Sequence, residues 1–350
     1  MTVDDLAAGI RQGNVATLAR AISLVENRRD GYEALLSALY GMLGKAHRVG
    51  ITGPPGAGKS TLTERLIHGY RARGERVAVT AVDPTSPFSG GALLGDRIRM
   101  ESATLDPDVF IRSMATRGGA GGLATTTLEV CDVLDAFGFD RIIIETVGVG
   151  QSELAIAATA DTAVLVLVPE SGDGIQVLKA GVMEIADVFV VNKADRPGGD
   201  RLQQEIEVML GLRRGNAYRH VGAHHGAADR AATPRSRSDH TADREGWEAP
   251  VIRTVATTGE GVDALIDAVD AHRAHLSGSG RLDARRRTRL ERLTRDVVDR
   301  SLRHLVWENG PGEAVLQQGL EALATGATTP YQLARDIVAD LQRRTDHAAG

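Results

Sequence analysis

The run Gly53-Pro54-Pro55-Gly56-Ala57-Gly58-Lys59-Ser60 spells G-x-x-x-x-G-K-S, a pattern whose chemistry is the holding of phosphates. Glycines let successive backbone N–H groups turn inward around phosphate oxygens. A helix starting at Lys59 adds the positive end of its dipole. Lys59 reaches the β- and γ-phosphates, and Ser60 places a hydroxyl on Mg2+. Residues Gly53, Pro54, Pro55, Gly56, Ala57, Gly58, Lys59 and Ser60, with Thr61 next in the chain, form the expected phosphate-contact set.

Further along, Asn192-Lys193-Ala194-Asp195 follows an apolar run. N-K-x-D at a strand end, downstream of a phosphate loop, is the guanine-reading signature of GTPases. The Asp195 carboxylate accepts from the guanine N1–H and 2-amino groups together. Adenine has no such donor pair and leaves the carboxylate unpaired. Asn192 can meet the opposite edge of the base, and the Lys193 stem can lie along its plane. A second base loop is expected at Ala256-Thr257-Thr258. GTPases usually carry Ser-Ala there, so only backbone contact to the guanine carbonyl is expected here.

Acidic residues at strand ends supply the metal chemistry. Asp83 ends one apolar run, Glu145 ends another, and Asp96 lies in the Gly95–Met100 segment. These three, with Ser60, are the candidate Mg2+ ligands. Lys59, Glu145 and Asp83 are the candidate catalytic residues. Glu145-Thr146-Val147-Gly148 stands where many GTPases carry D-x-x-G, so the Gly148 N–H is a candidate γ-phosphate contact. Glycine-rich stretches over 86–94 and 117–122 suit segments that order on nucleotide.

These groups need a scaffold that delivers them to one crevice. Short β-branched runs occur at Val49–Thr52, Val77–Val82, Val109–Met114, Arg141–Thr146, Thr162–Val168, Val188–Val191 and Val251–Val255. Segments long enough for crossover helices separate them. The expected fold class is α/β: a P-loop NTPase with a mostly parallel sheet, helices on both faces, and helical extensions at each end. The expected domains are a helical N-terminal arm (1–46), a GTPase domain (47–276) and a C-terminal helical extension (281–350). Thr2 and Asn14 are expected to cap the first two helices. Residues 212–248 are polar and without period, and read as a surface insertion. Its His220, His224, His225 and His240 are expected to be solvated rather than metal-bound.

Composition narrows the partners. The 350 residues carry 41 Lys plus Arg against 46 Asp plus Glu, a net charge of −5, which excludes bulk electrostatic binding of nucleic acid. The cations divide into 4 Lys and 37 Arg, so each surviving lysine is a candidate for a position that needs a compact ammonium; Lys59 and Lys193 fall in the two nucleotide motifs, and Lys45 has no assigned role. One cysteine permits neither a disulfide framework nor a Cys-rich metal site. No apolar run reaches the length of a membrane span, and the N-terminus lacks the pattern of a signal peptide. A cytoplasmic location is expected.

The motifs together closely resemble the MeaB family, formerly ArgK, of metallochaperone-type P-loop GTPases. The phosphate loop, Asp83-Pro84-Thr85-Ser86-Pro87, Gly95-Asp96-Arg97-Ile98-Arg99-Met100, Glu145–Glu153 and Asn192–Asp195 carry the resemblance. It implies GTP/GDP and Mg2+ as ligands and a low intrinsic rate of hydrolysis. It also implies a role as chaperone of an adenosylcobalamin-dependent acyl-CoA mutase, with methylmalonyl-CoA mutase first among clients and the adenosyltransferase as a further partner. A homodimer through the C-terminal helices is implied as well. By the same resemblance Arg99 lies near the nucleotide. A third switch over 169–179 contacts the mutase through Asp173, Gln176 and Lys179. The family usually has Gly-Asp-Glu in that switch, where this chain has Gly172-Asp173-Gly174. Two other readings remain open on the motifs: a nickel-insertion GTPase of the same group, and a P-loop kinase.

Overall fold

The computed structural model describes residues 1–83, 105–115, 120–146, 159–169, 185–213, 246–308 and 310–348. Seven strands form one sheet: β1 (His47–Thr52), β2 (Val77–Asp83), β3 (Val109–Ala115), β4 (Arg141–Thr146), β5 (Thr162–Leu167), β6 (Val188–Asn192) and β7 (Val251–Thr254). Their order is β3-β2-β4-β1-β5-β6-β7, and every pairing is parallel. The expected α/β architecture is what the chain adopts.

Ten α-helices occur among the described residues: α1 (Val3–Arg11), α2 (Val15–Glu26), α3 (Tyr32–Leu39), α4 (Lys59–Ala72), α5 (Ala120–Phe137), α6 (Gly199–Arg213), α7 (Val262–Gly278), α8 (Arg281–Trp307), α9 (Gly312–Ala324) and α10 (Pro330–Ala348). Thr2 caps α1 in a reciprocal box with Asp5, and the Asn14 side chain accepts from the Thr17 N–H to cap α2. The period-2 alternation of each strand sends its apolar side chains to both faces. Val49, Ile51, Ile143, Val164 and Val166 pack with Leu62 and Leu66 of α4 and Leu265 and Ile266 of α7. On the other face Ile142 and Ile144 share a core with Leu18 and Ile22 of α2, Leu35 of α3 and Leu134 of α5. Leu165 and Phe189 cover Leu202 and Ile206 of α6.

The chain forms two compact units, 1–286 and 287–350. The first contains the sheet, and a buried carboxylate fixes the segment that joins its N-terminal helices to β1. Asp135 accepts the N–H groups of Gly44, Lys45 and Ala46 at 2.7, 3.1 and 3.0 Å. In the second unit α9 packs on α10, where a Cβ on Gly319 would lie 2.7 Å from Leu333. Of the segment expected as an insertion, α6 continues through Arg213 and Trp247 is described. Trp247 Nε1 donates to the Asp187 carbonyl at 2.9 Å. Residues 214–245, with all four insertion histidines, lie outside the described residues.

At the amino-terminal ends of the strands runs a buried polar chain. His47 Nδ1 lies 2.7 Å from the Arg141 guanidinium, and its Nε2 lies 2.8 Å from Thr162 Oγ1. Because arginine only donates, Nδ1 is the acceptor and Nε2–H donates to Thr162. The Thr162 hydroxyl then donates to His272 Nδ1 at 2.8 Å. Burial, aided by the Arg141 charge and opposed by Asp161, pushes the His47 pKa down to about 3. The unfolded chain takes up this proton near the ordinary histidine value of about 6.5, and the native protein does not. Stability from this group is therefore complete above that pH and declines as pH falls toward 3, by up to about 1.4 kcal/mol per pH unit. His47→Gln should flatten the fall of melting temperature between about pH 6 and pH 4; an unchanged slope would assign the acid sensitivity elsewhere.

Candidate nucleotide-binding site

The site is built at the carboxyl ends of β1, β2, β4, β6 and β7, the end at which open α/β sheets bind ligands. β1 runs into the loop 53–58 and then α4. The loop requires glycine for two separate reasons. A Cβ at Gly53 (φ +144°) would fall 2.1 Å from the Val166 carbonyl oxygen of β5. At Gly58 (φ +85°) it would fall 2.5 Å from Asn192 Nδ2. Gly58 also precedes α4 without a side-chain cap, so the first N–H groups of the helix remain available to an anion.

Lys59 is buried, and its Nζ donates to the carbonyls of Gly53 at 2.9 Å and Pro54 at 3.0 Å. Folded back in this way, the ammonium is held against the backbone of the loop that precedes its own helix. Ser60 Oγ donates to Glu145 Oε1 at 2.7 Å. Glu145 reaches that point because β4 pairs with both β1 and β2, with Glu145 level with Ile51 and Ala81. Asp83 ends β2 one residue beyond the Val82–Thr146 pair. Hydroxyl and carboxylate oxygens at one strand end match the hard-oxygen preference of Mg2+. Among the described residues no group of three or more His, Cys, Asp or Glu side chains forms a metal cluster by itself. The Asp83 side chain, Asp96, Arg99, Gly148 and the third switch (Asp173, Gln176, Lys179) lie outside the described residues.

The residues expected to read the base are joined to the 53–58 loop by one side chain. Asn192, at the end of β6 and buried, donates from Nδ2 to the Ala57 carbonyl at 2.8 Å. Its Oδ1 accepts from Thr254 Oγ1 at 3.0 Å and from the Ala256 N–H at 3.1 Å. This leaves one amide hydrogen for the edge of a base. Beyond it, Lys193 adopts a left-handed conformation (φ +56°), unusual for a residue with a side chain. The turn is pinned by Ala194 N–H to Thr254 O at 3.1 Å and Arg253 to Ala194 O at 3.2 Å. Asp195 stands exposed on it, as do Thr257 and Thr258 on the neighbouring loop, while Ala256 is buried.

Arg65 of α4 is a site neighbour that no motif announces. It binds the Ala256 and Thr257 carbonyls from 191 and 192 residues away in sequence. A periodic helical arginine has no local signal for such a contact; only the closing of β7 beside β6 creates it.

Comparison with known proteins identifies the family. The profile of the family described as methylmalonyl Co-A mutase-associated GTPase MeaB matches residues 18–311. A protein of Pyrococcus horikoshii, named as a GTPase, is 46% identical over 85% of this chain and 86% of its own. The methylmalonic aciduria type A homolog, mitochondrial, of Mus musculus is 37% identical over 82% of this chain and 66% of its own. Among solved structures, an LAO/AO transport system kinase aligns with a TM-score of 0.65 and 26% identity, covering 97% of each chain. With a family profile spanning the 53–60 loop, Asp83, Glu145 and the Asn192–Asp195 turn, the chain belongs to the MeaB family of P-loop GTPases.

Proposed function

We propose that this GTPase is a chaperone of an adenosylcobalamin-dependent acyl-CoA mutase, which gates cofactor loading from the adenosyltransferase and protects or reactivates the mutase. Methylmalonyl-CoA mutase is the first candidate client. The observation that carries this reading is the profile match over 18–311 to GTPases described as associated with that mutase.

In this reading the loop 53–58 and the start of α4 wrap the phosphates, and Lys59 exchanges its two carbonyl partners for phosphate oxygens. Ser60 and Glu145, with Asp83 and Asp96, would hold Mg2+, which would supply charge neutralisation for phosphoryl transfer. Asp195 and the 256–258 loop read guanine. Catalysis rests on positioning, so the isolated protein turns over slowly. Dimerisation uses the C-terminal helices. Val298, Leu302 and Leu305 of α8 are exposed and recur at helical spacing along one face. No described helix is long and apolar enough to cross a membrane, and a cytoplasmic site of action fits the reading.

The test is hydrolysis of GTP with and without the purified mutase. Stimulation of about tenfold or more is expected, of the kind that partner contacts give positioning-limited phosphoryl transfer. Capture on the immobilised chain should also recover an acyl-CoA mutase subunit from host lysate. Absence of both would sink the chaperone reading, and phosphate appearing on an acceptor other than water would favour the kinase reading.

A further inference from the structure

The loop that follows β7 is held more tightly than a surface loop needs to be. Arg65 Nε donates to the Ala256 carbonyl at 2.9 Å, and its terminal nitrogen donates to the Thr257 carbonyl at 2.5 Å. Asn192 Oδ1 takes the Ala256 N–H at 3.1 Å. Residue 256 is thus fixed at both its backbone N–H and its carbonyl, by side chains from two different elements.

The consequence lies in the next peptide. In a trans peptide the carbonyl and the following N–H point in opposite directions. Anchoring the Ala256 carbonyl on α4 therefore aims the Thr257 N–H away from α4. The neighbouring donors are committed. Thr258 N–H and Gly259 N–H both donate to the Val255 carbonyl, at 3.1 and 2.9 Å. Among the described residues Thr257 N–H has no protein acceptor. Of the four consecutive N–H groups 256–259, it is the one available to a ligand.

We propose that Arg65 is a positioning residue for base selection: its clamp on the Ala256 and Thr257 carbonyls aims the Thr257 N–H at the 6-oxygen of guanine. The proposal rests on the guanine reading of Asn192–Asp195 and on the backbone contact expected of the 256–258 loop, and it adds the residue that sets that contact. Asp195 reads the N1–H and 2-amino groups. Arg65, acting through the loop, sets how strongly the 6-position acceptor is read.

The test uses the full chain with Mg2+ and three probes: GTP, inosine triphosphate and 6-thioguanosine triphosphate. Inosine keeps the 6-oxygen and loses the 2-amino group. The thio analogue keeps both donors for Asp195 and replaces the 6-oxygen with sulfur, a weak acceptor. The wild type should bind GTP more tightly than either. Arg65→Ala should weaken GTP and inosine triphosphate alike, by about tenfold, and leave the thio analogue within about twofold, so that the GTP-to-thio ratio collapses. Arg65→Lys, with a single compact donor group in place of the fork, should fall between, and it carries the test if Arg65→Ala does not fold. Equal weakening of all three probes would overturn the Arg65 role and leave the guanine reading standing. A wild type that does not distinguish GTP from inosine triphosphate would overturn the guanine reading, and the Arg65 role with it.

Discussion

Asp195→Asn is expected to lower GTP affinity about a hundredfold and to raise the affinity for xanthosine triphosphate by a comparable factor. In the proposed site the carboxylate accepts two hydrogen bonds from guanine, at N1–H and at the 2-amino group. An amide in its place accepts one and presents an N–H to the other, which pairs two donors. Xanthine carries an oxygen where guanine carries the amino group, so the same amide then finds one donor and one acceptor. The surrounding turn does not depend on the carboxylate. Its shape is set by Ala194 N–H on the Thr254 carbonyl, Arg196 N–H on the Lys193 carbonyl at 3.0 Å, and Arg253 on the Ala194 carbonyl. Asp195 is exposed, and its replacement should leave the melting temperature unchanged. Equilibrium titration with both nucleotides is the measurement. GTP affinity that does not move removes Asp195 from base reading.

The parts of this molecule legible in the sequence are those whose signal is local. All seven β-branched runs became strands, with ends shifted by at most two residues, because the inner strands of a parallel sheet, buried on both faces, need continuous apolar content, and the edge strands β3 and β7 keep β-branched residues. The caps at Thr2 and Asn14 were equally legible, since a cap bonds within one turn. The phosphate loop and the Asn192–Asp195 turn carry their residue types at fixed spacing along the chain, which is a local signal. What spacing could not supply is which of them touch. That Asn192 ties Ala57 to Ala256, or that Ser60 meets Glu145, follows from β1 lying between β4 and β5 with β6 and β7 beyond. The His47–Thr162–His272 chain was invisible for the same reason. Three scattered residues become one network only when the strand ends align. Trp247 lay within a stretch that reads as polar and aperiodic, yet its ring packs 4.9 Å from the His272 ring. One aromatic in a polar run gives no period to detect.

Lys59→Ala is expected to reduce GTP hydrolysis at least about a hundredfold, the range seen when one preorganised charge is removed from a transferring group. The geometry explains why no neighbour can substitute. The Lys59 side chain leaves the first turn of α4 and returns over the loop to place Nζ 2.9 Å from the Gly53 carbonyl, within a residue that is only 6% exposed. A stem of four methylenes ending in a compact ammonium fits that path; a planar guanidinium with its fixed fork does not. Lys59→Arg preserves the charge and is therefore the sharper variant. It should remain within about tenfold of the alanine variant despite that charge. The rarity of lysine gives independent weight to this expectation, since arginine outnumbers it 37 to 4 along the chain and still does not occupy this position. Single-turnover hydrolysis at saturating GTP separates lost chemistry from lost binding, and a thermal scan checks that the loop carbonyls tolerate the loss of their donor. An arginine variant with more than half the wild-type rate would show that charge alone is required, and that the enclosed path from α4 to the loop does not select the side chain.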